Sequence, residues 1–173
     1  YPDLPSRSPW IAQMAPDGPA RPLTQDETAD VAIVGAGIAG VATAFFTLRS
    51  SDKRVVLLER DRVARGATGR NAGQLTTYFE RPLFDIASEF GEEPAIEAQR
   101  GFDEAHDLLD LMATELETQV RVERFTGLGV KVIRAEGRFV RPDMLIAGDV
   151  LIRARRFVIA TGSRPAIPQI PGL

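Results

Sequence analysis

The sequence predicts an α/β fold built on a parallel sheet, with a small antiparallel meander joined to it. Three observations carry that expectation. The apolar run Val31-Ala32-Ile33-Val34 enters the turn Gly35-Ala36-Gly37-Ile38-Ala39-Gly40, and a helix-compatible segment leaves it. A second apolar run, Val55 to Leu58, ends in an acid, Glu59. From residue 119 onward the texture changes to short β-type runs separated by glycine- and proline-bearing turns.

The first half of this pattern has a specific physical reading. Val31 to Val34 are β-branched or small, as suits a strand buried on both faces of a parallel sheet. Gly35 allows the tight turn, Gly37 removes the Cβ that would hold the backbone away from a pyrophosphate, and Gly40 lets the helix lie close to the strand. The helix then aims its free N–H groups and positive dipole end at the phosphates. Glu59 stands nineteen residues beyond Gly40, where a carboxylate can accept hydrogen bonds from both hydroxyls of an adenosine ribose. Strand, glycine turn, helix, strand and acid together point to a Rossmann-like dinucleotide site. The acid disfavours a 2′-phosphorylated cofactor and leaves NAD and FAD both open.

Composition bounds the rest. The chain has 173 residues, one domain's worth, with a formal net charge of −3 that gives no basic field for nucleic acid. With no cysteine there is no disulfide, thiolate metal site or cysteinyl flavin link. The single histidine, His106, argues against a histidine-rich metal centre or a Ser-His-Asp triad, and it reads as structural. No apolar run approaches the ~20 residues of a membrane helix, and no signal-peptide pattern is present. A cytoplasmic location is therefore expected, and the Tyr1 start suggests trimming or a fragment.

In chain order, residues 1–29 hold six of the twelve prolines and are expected to form an extended, irregular arm, pinned by Trp10 and Ile11. The domain proper is expected over 30–162. Ile38 to Ser50 should be the first helix and Arg54 to Glu59 the second strand. Arg65 to Gln74 is nearly all small, basic or amide-bearing; its position after the acid favours a cofactor-lining loop over a plain surface loop. Leu83 to Phe90 reads as a helix stopped by Gly91. Glu92-Glu93-Pro94 starts a longer one, with Ile96, Phe102, Ala105, Leu109, Met112 and Leu116 as its apolar stripe. Strands are expected at 120–125, 130–135, 139–140, 144–147 and 150–154, with the meander over about 130–154. Phe157 to Gly162 is then an apolar strand entering a small-residue turn, and 163–173 an extended tail.

Two resemblances sharpen this reading. Glu59-Arg60 followed by Arg65-Gly66-Ala67-Thr68-Gly69-Arg70-Asn71-Ala72-Gly73-Gln74 resembles the second FAD-binding signature of the D-amino-acid oxidase/sarcosine oxidase superfamily. The Trp10 arm, the Asp30–Gly35 entry and Gln74 resemble its γ-glutamylputrescine oxidase branch, the likeness covering about residues 8–125. The resemblance implies non-covalent FAD rather than NAD, and oxidation of a C–N bond by hydride transfer to flavin. The second resemblance lies in Gly129–Val140 and Arg156–Leu173, which are similar to the FAD domain of pyridine-nucleotide–disulfide reductases. That family's redox cysteine pair and its Thr-x-x-x-x-apolar-Gly-Asp motif are absent, so the chain reads as an oxidase-type head joined near Phe125–Gly129 to a reductase-type tail.

Both families imply a three-layer FAD-binding architecture: a parallel sheet, helices on one face and the meander on the other. On that basis Gly35, Ala36, Gly37, Ile38, Ala39 and Gly40 are expected to cradle pyrophosphate, Glu59 to bind the ribose and Arg60 to border the adenine. Arg65, Gly66, Ala67, Thr68, Asn71, Ala72, Gly73 and Gln74 should line the ribityl-to-flavin path, and Ala160, Thr161 and Gly162 should abut the cofactor. No catalytic acid or base is identified and no metal is expected. The partner implied is a small amine or amino acid, with a partner domain or second copy supplying a substrate site this chain lacks. The alternatives are a non-catalytic dinucleotide-binding module, a truncated reductase FAD domain and an NAD-binding dehydrogenase domain.

Overall fold

A computed structural model describes residues 8–13, 25–73, 76, 79–117 and 130–162. The expected strand at 120–125, Gln74 and the 163–173 tail lie outside the described residues, as do the side chains of Trp10 and Leu116. The chain gathers into two compact units, residues 1–71 with 121–173, and residues 72–120.

In the first unit the elements are α1 (Pro9–Gln13), β1 (Glu27–Val34), α2 (Ile38–Arg49), β2 (Val55–Glu59), a 3-10 turn (Ala67–Arg70), β3 (Val130–Arg134), β4 (Gly137–Arg141), β5 (Met144–Ala147) and β6 (Val150–Ile159). The second unit contributes α3 (Leu83–Phe90) and α4 (Glu92–Glu117). The strands form one sheet in the order β3-β2-β1-β6-β5-β4; β3, β2, β1 and β6 run parallel, and β5 and β4 continue antiparallel from β6.

β6 joins the two parts of the sheet. Its start, 150–153, pairs antiparallel with β5, and 152–159 pairs parallel with β1. Val150, Ile152 and Ala154 alternate inward, as the sequence alternation implies. The two separate strands read at 150–154 and 157–162 are thus one continuous strand. The meander also starts later than expected. Val130–Arg134 is a parallel strand beside β2, with Val130 opposite Val55 and Arg134 opposite Glu59. Both ladder types favour the same β-branched residues; what decides is the connection. A parallel return needs a dozen or more intervening residues, which the 60–129 excursion supplies.

The layers follow from burial. α2 packs its Gly40, Ala44 and Phe45 against the face carrying Ile33. On the other face Ala29, Ala32, Val56, Leu58 and Ile133 share one buried cluster with Leu145, Ala147, Ile152 and Ala154, so that face and the meander's apolar side form one core. Helix, sheet and meander give the expected α/β arrangement.

At the head of β1 the N–H groups of Asp30 and Val31 both donate to Arg54 O, at 3.0 and 3.2 Å, and the Asp30 carboxylate accepts the Arg54 N–H at 3.0 Å. That donated N–H, with the Arg54 guanidinium beside it, holds the Asp30 carboxyl below its ordinary range. The N-terminal arm departs from expectation at α1. Ser8 Oγ accepts the Ile11 N–H at 3.4 Å and Pro9 opens the helix, so Ser-Pro acts as a start signal.

In the second unit α3 has the expected bounds, closed by Gly91 at φ 96 with its N–H on Ala87 O at 2.8 Å. α4's inner stripe matches the expected one at Leu109 and Met112 and departs from it elsewhere. It runs through Ala95, Gln99, His106, Leu109 and Met112, while Ile96 is 53% exposed and Ala105 is exposed. Phe102 meets Phe79 edge to face, ring centroids 4.7 Å apart. His106 sits half-buried on this stripe.

Candidate functional site

The carboxyl ends of β1, β2 and β6 come together around the glycine turn, the position where open α/β sheets bind ligands. Gly35 donates its N–H to Leu58 O at 2.8 Å, and Ala160 donates to Val34 O at 2.7 Å. The three glycines meet different constraints. A Cβ on Gly35, whose φ is +105, would stand 2.2 Å from Ala160 O. One on Gly40 would stand 1.9 Å from Gly35 O, so the protein's own backbone requires both to be glycine. A Cβ on Gly37 would meet only Thr68 Oγ1 within 4 Å, at 3.3 Å, and the Gly37 φ of −77 is open to any residue. The fold does not itself demand a glycine there.

Gly37 precedes the first turn of α2, whose earliest N–H groups cannot be met by helix carbonyls. The first that is met by one belongs to Val41, 2.9 Å from Gly37 O. The Ile38 N–H donates instead to Thr68 Oγ1 at 3.0 Å. Ala36 donates to Glu59 Oε2 at 2.9 Å and Asp61 to Glu59 Oε1 at 3.0 Å. The acid at the end of β2 thus clamps the glycine turn to the following loop, and its two oxygens keep lone pairs for further donors. The loop is held in turn by the Ala64 N–H on Ala36 O at 2.9 Å. Ala64 itself takes φ +61, an uncommon conformation for a residue with a Cβ.

Beyond the clamp, the chain makes the 3-10 turn Ala67–Arg70. Asn71 Nδ2 closes it by donating to Ala67 O at 3.2 Å and Thr68 O at 3.1 Å. Ser8 Oγ donates to Gly69 O at 2.9 Å, tying α1 to the same turn, and a Cβ on Gly69 would stand 3.2 Å from Ile11 Cγ1. So Ile11, named in the sequence reading as an anchor, reaches this turn.

The structure therefore brings Gly35 to Gly40, Glu59, Ala67, Thr68, Asn71 and Ala160 into one connected assembly. Thr161 and Gly162 follow β6 directly and are exposed, Gly162 at φ +70. Arg60 and Gly66 are exposed, and the Arg65 guanidinium rests on Asp61 Oδ1 at 3.0 Å. Ala72 and Gly73 are exposed and belong to the second unit. Sequence reasoning missed Asp61 and Ser8. Asp61 enters through its backbone, which no side-chain pattern reports; Ser8 could have been found from the Ser-Pro start signal.

The match to known proteins is decided by a family model, FAD dependent oxidoreductase, which fits residues 30–138 and so covers the glycine turn, the acid and the loop. The chain belongs to that family. Its cofactor is FAD. The chain is 38% identical over 89 residues to the probable oxidoreductase OrdL of Haemophilus influenzae, covering 51% of this chain and 20% of that protein. It is 37% identical over 73 residues to the gamma-glutamylputrescine oxidoreductase of Escherichia coli, 42% of this chain and 17% of that one. A mercuric reductase of Lysinibacillus sphaericus aligns at 28% over 157 residues, 87% of this chain and 28% of the enzyme. The chain thus spans less than a third of each of these relatives. An alignment as long as the last necessarily runs through 125–129, so the reductase likeness extends well to the N-terminal side of the expected join. The L-amino acid deaminase of Proteus vulgaris shares the fold, with a TM-score of 0.51 at 15% identity over 85% of this chain and 50% of that one. Among the described residues no group of His, Asp and Glu is arranged to hold a metal, and no helix is long and apolar enough to cross a membrane.

Proposed function

We propose that this chain is the FAD-binding part of a flavin-dependent oxidase acting on a small amine or amino acid. The carrying observation is Gly37. Its neighbours Gly35 and Gly40 are required by the protein's own backbone, whereas Gly37 leaves space beside the first turn of α2 and the Thr68 hydroxyl. A pyrophosphate seated there would take the uncapped N–H groups of that turn and the positive end of the helix. Glu59 would accept the ribose hydroxyls with its remaining lone pairs, Arg60 would border the adenine, and Ala67 to Asn71, with Ala160 to Gly162, would line the cofactor toward its flavin.

When bound, the flavin supplies the redox step by accepting a hydride from the carbon of the C–N bond; the protein supplies orientation and electrostatics. The amine class is supported by the family of residues 30–138 and by the named relative that acts on gamma-glutamylputrescine. A reductase-type alternative would need a thiol pair, and the chain contains no cysteine. The substrate site itself we assign to protein beyond this chain's fold, a partner domain or second copy, and we place the protein in the cytoplasm. The test is a visible spectrum of purified protein with FAD, then with candidate amines added anaerobically. Bound flavin bleached by an amine supports the full reading; bound flavin untouched by every amine leaves a non-catalytic FAD module.

A further inference from the structure

The 3-10 turn Ala67–Arg70 is short, and short 3-10 turns are weak by themselves. It has no side-chain cap at its start, Gly66, and its carbonyls need partners from elsewhere. Asn71 supplies two of them through one amide nitrogen, on Ala67 O and Thr68 O. Because Thr68 is held at its backbone by Asn71, its side chain can stay where it accepts the Ile38 N–H. A hydroxyl that accepts such a bond keeps its own proton to donate. The hydroxyl oxygen stands beside the first turn of α2, next to the space left by Gly37.

The geometry points to Asn71 as a positioning residue for FAD that acts through Thr68. In this role its side-chain amide acts on the turn rather than on the cofactor. It fixes the turn so that the Thr68 hydroxyl both holds the Ile38 N–H and presents a donor to an oxygen of the pyrophosphate. The inference rests on the FAD reading above and adds an order of dependence: Asn71 has an effect only while Thr68 has a hydroxyl. Glu59, whose partners are Ala36 and Asp61, stands outside that dependence.

The experiment is a double-mutant cycle read by FAD titration, with amide exchange at Ile38 as a second readout on the chain without added FAD. Asn71→Ala and Thr68→Val should each weaken FAD about tenfold, as loss of a charge-assisted hydrogen bond does. The double variant should be no weaker than Thr68→Val alone. Asn71→Asp, equal in size but without the donor, should behave as Asn71→Ala, and Thr68→Ser should stay near wild type. Exchange at Ile38 should quicken in Asn71→Ala, Asn71→Asp and Thr68→Val. Losses that multiply to about a hundredfold in the double variant, or full affinity in Asn71→Ala, would overturn the proposal. If the wild-type chain takes up no FAD, the binding reading fails; the latch is then judged by Ile38 exchange alone, and unchanged exchange in Asn71→Ala overturns it.

Discussion

The two compact units differ in how completely each buries its apolar residues. The sheet unit closes both faces of β1 and β2, with Ile33 and Leu57 at 0% exposure. In residues 72–120 the buried hydrophobics among the described residues are Ala95 and Met112, while Phe84 is 71% and Phe90 61% exposed. Charge divides the same way. Residues 72–120 carry twelve acids and two arginines, and the remainder nineteen bases and twelve acids. The chain's small net charge thus hides two opposed fields. Every residue in the connected assembly around the glycine turn lies in the sheet unit.

That contrast can be broken by substitution, beginning with the largest effect. Gly35→Ala should prevent the sheet unit from folding, since its Cβ would overlap Ala160 O at 2.2 Å; a cooperative melt near wild type would contradict the account. Gly37→Val should abolish FAD retention while leaving the melting transition close to wild type, because its Cβ would meet a single protein atom within 4 Å, Thr68 Oγ1 at 3.3 Å; retained FAD would remove the pyrophosphate role. Leu58→Ala, in the finished core, should cost ~2–5 kcal/mol in chemical denaturation. Glu59→Ala should weaken FAD by ~1–3 kcal/mol, the Ala36 and Asp61 N–H groups also losing their acceptor. Ile96→Ala, at a half-exposed site of the helical unit, should change stability by no more than ~0.5 kcal/mol. A loss as large as that of Leu58→Ala would erase the contrast.

Acid sharpens it further. Because Asp30 is held below its ordinary value, its contribution to the sheet unit is present above that value and is lost as pH falls through the folded one. Asp30→Asn should therefore flatten the fall in melting temperature on acidification below about pH 4. Equal slopes for both proteins would show that the Arg54 contact stabilises nothing.

Where sequence and structure agree, the signal was local. The Gly35–Gly40 turn, the Glu59 position and the Leu83–Phe90 helix each depend on residues close together in the chain, whose backbone demands are visible in their types. Where they differ, a distant partner decided. Val130–Arg134 has the composition of either ladder type, and only its pairing with β2 makes it parallel. On α4, Ala95 and Ile96 are neighbours in phase, and packing chose the smaller one for burial. Thr68 and Asn71 were legible as loop residues of the right chemistry. The Thr68 bond to the Ile38 N–H was not, because thirty residues separate Thr68 from the helix it caps.

The most direct test of the central claim is an FAD titration of the purified wild-type chain beside Gly37→Val, with both melting curves recorded. The account predicts saturable flavin binding by the wild type, none by the variant, and coincident melts. Equal binding by both proteins, or no binding by either, would contradict it.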